Sequence, residues 1–152
     1  MKKLLLMTIL ISVFVFAVAN ESFAQRGMIW IGEGGWGPGS QYNRLIDSKT
    51  IEKISGEVVS VETVTPIRGM HQGVQIVIKT EKETISVHLG PAWFLENQDV
   101  KIMPKEKVEV TGLRITFQGK PTIIATEVRK DDQVLKLRDE NRYPVWSGWR
   151  RR

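Results

Sequence analysis

The chain has 152 residues, with 22 Lys and Arg against 17 Asp and Glu, two histidines and no cysteine. This length builds one small domain, and the lack of cysteine excludes disulfides, a lipid-modified thiol and a CxxCH haem site. Acidic and basic residues cancel between positions 25 and 141, so only the ends are basic and the body offers no basic surface for nucleic acid.

The N-terminus predicts a secretory signal peptide, residues 1–24. Lys2 and Lys3 precede an apolar run from Leu4 to Ala19, and small residues follow in "SFA", which is the pattern of an export signal cleaved after Ala24. The run is shorter than the about 20 residues that span a bilayer. We therefore expect an exported protein, in the periplasm or an equivalent extracytoplasmic lumen, with no transmembrane segment after cleavage.

Residues 25–49 predict an irregular, Gly/Trp-rich N-terminal arm. Its "GMIWIGEGGWGPGS" run holds six of the chain's 13 glycines, which a regular helix or central strand does not tolerate. Gly32 to Gly37 match the spacing G-x-G-x-x-G. Because no βαβ unit follows, we reject a dinucleotide site there.

Residues 50–137 predict a β domain, because apolar and polar residues alternate between turn signals. "PAWFLENQ" predicts one or two helical turns that begin at Pro91 and cap the core with Trp93, Phe94 and Leu95. In the fourth strand the inward-facing apolar set shifts phase at Gly112, which predicts a β-bulge. The strands are expected at "EKISGEVVSVETVT", "VQIVIKT", "ETISVHL", "KVEVTGLRITF" and "TIIATEV", followed by a short run "VLKL".

This order of strands and one helix resembles the OB-fold. "KEKVEVTGLRI", with alternating valines and a glycine at the bend, adds to the resemblance. The expected fold is all-β: a five-stranded OB-like Greek-key barrel with a short helix between strands 3 and 4, plus extended N- and C-terminal arms. Another small barrel or a five-stranded sandwich is the alternative. OB-like barrels often bind single-stranded nucleic acid, but residues 56–92 contain no Phe, Tyr or Trp for base stacking, which argues against that partner.

The residue pattern gives no convincing nucleophile and base, so we expect no enzymatic activity. His71 and His88 are the weak candidates for a metal site, since two histidines without cysteine supply at most half of one. His88 shares a strand face with Thr84 and Ser86, which predicts a structural or surface histidine that points away from the core or toward a groove. We expect no cofactor, and keep a small-molecule or metal-binding module using these histidines as the alternative function.

The terminal arms, the second being residues 138–152, hold four of the five tryptophans. Either they fold back and pad the barrel, or they dock on another protein, as Trp, Tyr and Arg dominate interface hot spots. We favour docking, because terminal arginines gain nothing from burial, and expect deletion of residues 142–152 to abolish association but leave the barrel folded. The candidate partner-binding residues are Trp30, Trp36, Arg142, Tyr143, Trp146, Trp149, Arg150, Arg151 and Arg152.

Two runs, His88 to Leu95 and Leu137 to Trp146, resemble small secreted bacterial accessory subunits of extracytoplasmic respiratory complexes, of the type that forms tubules with nitrite oxidoreductase. The resemblance implies a respiratory metalloenzyme complex as partner and a capacity for self-assembly. Our primary hypothesis is a non-catalytic, exported protein-binding module that serves as an accessory or assembly subunit.

Overall fold

The computed structural model describes residues 34–46 and 50–147, which belong to one compact unit. The described parts of both terminal arms therefore pack with the β domain. In chain order the elements are a 3₁₀ turn (Asn43–Ile46), β1 (Ile51–Val64), β2 (Gly73–Lys79), β3 (Thr84–Pro91), α1 (Ala92–Leu95), β4 (Lys107–Phe117), β5 (Lys120–Lys130) and β6 (Gln133–Lys136).

The strands form one sheet in the order β3–β2–β1–β4–β5–β6, and a parallel pairing joins β3 to β5. The pairings therefore close a ring through β1, β2, β3, β5 and β4. The length of β1 makes this possible, because residues 51–57 pair with β4 and residues 57–64 pair with β2. The expected all-β class and the helix between strands 3 and 4 are confirmed, and the "VLKL" run contributes a sixth strand, β6.

The main core is built by alternating apolar residues of β1, β2 and β3. Val58 lies opposite Ile78, and Ile78 lies opposite Ile85 on the next strand. These three side chains are at most 3% exposed. Since cross-strand partners share a face of the sheet, the alternation read in the sequence places one continuous apolar face inside the ring.

The phase shift in β4 moves its apolar residues to the opposite face of the sheet. The ladder between β1 and β4 continues without interruption past Gly112, so Val110 and Leu113 point to opposite sides, although both are fully buried. The irregularity lies on β5, where Thr126 is the residue without a β4 partner. The prediction of an irregularity at Gly112 is therefore right in position but wrong in strand, since the extra residue belongs to β5 and not to β4. The apolar set after Gly112 does not return to the inner face.

The helix starts one residue later than expected. Pro91 is still the last residue of β3, where it pairs with Gly73, and it adopts the extended conformation of an N-cap, with φ −66° and ψ 140°. Phe94 is 4% exposed, and Trp93 and Leu95 are half-buried against the core. The expected role of these three residues at the end of the core is therefore supported by their packing.

Residues 34–46 and 50–147 include no helix with the length and apolar character needed to cross a bilayer. The predicted signal peptide and its cleavage point lie outside the described residues.

Candidate functional site

Trp36, predicted as a docking residue, is buried and only 1% exposed. Its Nε1 donates a hydrogen bond to the His71 carbonyl oxygen at 2.8 Å, and its ring lies on Gly73. A methyl group on Gly73 would meet the indole directly and would lie 2.9 Å from the Gly90 carbonyl oxygen. The absence of a side chain at Gly73 is thus what lets the N-terminal arm pack onto the start of β2.

Trp146, the second of the two predicted docking tryptophans that the structure describes, is 0% exposed. Its Nε1 donates to the Trp36 carbonyl oxygen at 2.9 Å, and its ring lies 5.4 Å from that of Phe94. A methyl group on Gly90 would come within 2.8 Å of the indole. Both indoles are therefore buried within the chain itself, which favours the alternative that the arms fold back and pad the β domain at Trp36 and Trp146.

His88 is 1% exposed, because the N-terminal arm covers the polar face of β3. The Tyr42 hydroxyl and His88 Nδ1 share a hydrogen bond of 3.0 Å, the two rings stack with centroids 6.0 Å apart, and Phe117 contacts the imidazole edge-on at 5.1 Å. Burial lowers the pKa of His88 to about 4 and raises the pKa of Tyr42. His88 thus lies on the strand face that points away from the main core, as expected, and its burial favours the structural alternative over the surface one.

The residues around His88 form a second buried layer on the outer side of the ring. The register places His88 beside Ile124, and Ile124 beside Leu113. All three are at most 2% exposed. The sequence signal for this layer is the set of apolar residues after Gly112. On an outer face of the sheet, apolar residues are expected only where another segment covers them.

Arg138 links the two terminal arms and was not identified from the sequence. Its side chain is 2% exposed, its Nη1 donates to Asn43 Oδ1 at 2.6 Å and to the Arg142 carbonyl oxygen at 3.1 Å, and its guanidinium lies 5.4 Å from the Trp146 ring centre. Burial lowers the pKa of Arg138, and its Nε has no hydrogen-bond partner. A single arginine within a polar run gives no sequence signal for such burial.

The remaining docking candidates separate into two groups. Arg142 is half-buried, and its Nη1 donates to the Ile46 carbonyl oxygen at 2.8 Å. Tyr143, its neighbour, is 54% exposed. Trp30, Trp149, Arg150, Arg151 and Arg152 lie outside the described residues.

The histidines do not form a metal site in the described part of the chain. His71 lies in the loop before β2 and is exposed, whereas His88 is enclosed by the N-terminal arm. Across residues 34–46 and 50–147, no three His, Asp or Glu side chains come together as metal ligands. The geometry therefore gives no support to the metal-binding alternative.

An open cleft of about 820 Å³ lies where β1 passes from β4 to β2. Glu57 pairs across the strands with both Lys79 and Lys107, and Arg129 and Asp131 complete a lining of both charge signs. Because positive and negative side chains alternate along the cleft, it favours neither an anionic nor a cationic ligand. The cleft therefore points to no substrate class.

A family model described as the MamS/MamX magnetosome protein family matches residues 50–135, which is more than half of the 152-residue chain. The matched range contains β1 to β5 and most of β6, and it leaves out the terminal arms with Trp36 and Trp146. No curated protein matches the chain. The comparisons give no link to nitrite oxidoreductase.

Proposed function

Because the chain belongs to the MamS/MamX magnetosome protein family, we propose that it is an exported, non-catalytic accessory protein of the magnetosome that acts by binding another protein. The signal-peptide pattern, with cleavage after Ala24, supports export. The absence of a convincing nucleophile and base in the sequence supports a role in recognition.

The observation that carries this proposal is the arrangement of the C-terminal arm. Tyr143 is 54% exposed, whereas Trp146, three residues later, is fully buried. An exposed aromatic on a fixed segment binds with little loss of conformational entropy, since its backbone is already ordered. Tyr143 is thus well suited to be an interface anchor.

The sequence that follows the described residues is also rich in the residue types that favour protein interfaces. After Ser147 the chain continues with Gly148, Trp149 and three arginines. Arginine and tryptophan are the residues most enriched among interface hot spots, and three guanidinium groups without an acidic neighbour favour an acidic partner surface. We propose that Tyr143 and residues 149–152 contact the partner together.

The test is capture of the partner from membrane and soluble fractions of the native cell by the tagged protein. We expect deletion of residues 148–152, or Tyr143→Ala, to weaken binding by about tenfold or more, the usual effect of losing a hot-spot side chain. Met103→Ala is the matched control, because Met103 is also exposed, at 56%, but lies in the loop before β4. Equal capture by all variants would overturn the proposal.

The truncation must stop at Ser147. Deletion of residues 142–152 would also remove Trp146, which is fully buried, so loss of binding after that deletion would not separate docking from unfolding. Far-UV circular dichroism of each variant shows whether the fold is intact before binding is compared.

A further inference from the structure

The second half of β1 has a free edge. On the β4 side, Lys105 N donates to the Val58 carbonyl oxygen at 2.7 Å and Val58 N donates to Glu106 at 2.8 Å, so this edge is occupied up to Val58. Residues 60–64 pair with β2 on one side only, and Val59 is a bulge residue without a partner on β2. Among the described residues no strand pairs with the other side, which leaves a row of backbone donors and acceptors open to a further strand.

This edge lacks the features that usually prevent pairing with another chain. Natural edge strands are protected by lysine, proline or short length, but residues 59–64 read "VSVETV". Val59 is 52% exposed and Val61 is 39% exposed. The other outer strand, β6, has only four residues and ends at Lys136. The bulge at Val59 and the charge of Glu62 are the only protective features of the β1 edge.

We propose that this edge pairs with the same edge of a second copy of the chain, antiparallel and two-fold symmetric about Val61. In this register Val61 faces Val61 of the second copy, Val59 faces Thr63, and Ser60 faces Glu62. Hydroxyl and β-branched side chains favour such cross-strand pairs. The ladder ends before Val58, whose backbone Lys105 and Glu106 already occupy.

Charge and hydrogen bonding favour this register and a second copy of the chain as the source of the added strand. A two-fold axis at Glu62 would place two carboxylates opposite each other, which destabilises a sheet, whereas the axis at Val61 places each carboxylate against a serine. Glu62 already accepts hydrogen bonds from Ser60 at 2.9 Å and from Gln75 at 2.8 Å, so its charge needs no further partner. Between positions 25 and 141 the chain carries equal numbers of acidic and basic residues, so the β domains of two copies bring no excess of one charge sign to this contact.

This contact is independent of the C-terminal docking surface, and a single cysteine tests it directly because the chain has none of its own. Directly opposed residues of an antiparallel pair lie close enough for a disulfide. We expect Val61→Cys to give a covalent dimer rapidly when the purified protein is treated with diamide. Val134→Cys is the matched control, since Val134 is 42% exposed on β6. Equal rates of cross-linking for the two variants would overturn the proposal.

The second measurement is the oligomeric state from light scattering coupled to size exclusion. We expect a concentration-dependent dimer. Val61→Lys should weaken this dimer by about tenfold or more, since two ammonium groups then meet on the two-fold axis. Val134→Lys should leave the dimer unchanged. A monomer at the highest soluble concentration would overturn the proposal, as would a dimer that resists Val61→Lys. A dimer lost only with Val134→Lys would place the contact on β6 and also contradict it.

Discussion

For His88 the sequence predicts the strand face but leaves open whether the imidazole is structural or lies on the surface. Alternation along β3 gives the face to which the imidazole points, but Tyr42 lies 46 residues away in sequence, and no local pattern predicts that it covers this face. The rings in contact with the imidazole are those of Tyr42 and Phe117, which supply no carboxylate. The histidine is therefore kept neutral by burial and is available neither as a metal ligand nor as an exposed base.

The depressed pKa of His88 makes stability fall in acid. Because its pKa is about 4 in the folded protein against 6.5 for an ordinary histidine, the unfolded chain binds a proton more readily below pH 6.5. The free energy of unfolding should therefore decrease as the pH falls from 6.5 to 4, by an amount on the order of 3 kcal/mol from this group. Urea unfolding at a series of pH values measures the change.

Two variants isolate the histidine from the carboxylates that also titrate in acid. His88→Gln should lower the free energy of unfolding at neutral pH but flatten its pH dependence between 6.5 and 4. His71→Gln, which changes the other histidine of the chain, is the matched control. An identical slope in both variants and in the unchanged protein would assign the acid sensitivity to other groups.

At the scale of the elements, β4 shows which features of a strand the sequence predicts and which it does not. The phase shift at Gly112 correctly locates the irregularity, because Val110 and Leu113 are both apolar and lie three residues apart. The pairing of β4 with β1 continues unbroken past Gly112. β4 therefore buries one face before Gly112 and the opposite face after it. Sequence alternation predicts burial, but which face is covered depends on where a distant segment packs.

One cross-strand pair of β4 and β1 gives a matched test. Leu113 is 0% exposed and its cross-strand partner Ile51 is 47% exposed. Leu113→Ala should reduce the free energy of unfolding by about 2 to 5 kcal/mol because it leaves a cavity under the N-terminal arm. Ile51→Ala should change it by about 0.5 kcal/mol or less. Thermal and chemical denaturation compare the pair, and equal losses would show that Leu113 does not lie in a covered layer.

At the scale of the whole molecule, the two ends of the described chain complete the fold. Trp36 and Trp146 meet edge to face at 6.3 Å, and Arg138 and Arg142 bind the backbone or side chains of residues 43 and 46. Composition correctly marked both arms as unusual, since their tryptophans stand among glycines and prolines. It could not decide between padding and docking, because the glycines that receive these rings, Gly73 and Gly90, lie in the β domain.

The whole-molecule prediction contrasts two aromatic residues three positions apart. Trp146→Ala should reduce the free energy of unfolding by about 3 to 5 kcal/mol, as expected for removal of a buried Trp. Tyr143→Ala should leave stability within about 0.5 kcal/mol of the unchanged protein, although it weakens partner binding. Guanidinium denaturation followed by tryptophan fluorescence compares the two, and a large loss of stability with Tyr143→Ala would remove it from the candidate interface.

The hydrogen bond between Trp146 and Trp36 joins residues 110 positions apart. This separation determines which contacts can form first while the chain is synthesised. A nascent chain that has released its first 130 residues still lacks the indole that rests on Gly90 and the guanidinium that binds Asn43. Its N-terminal arm can already contact β2 and β3 through Trp36 and Tyr42, but its contacts with the C-terminal arm form only after residue 146 has been released. A polypeptide whose packing is completed by a segment this late in its sequence gains the stability of that contact late in folding.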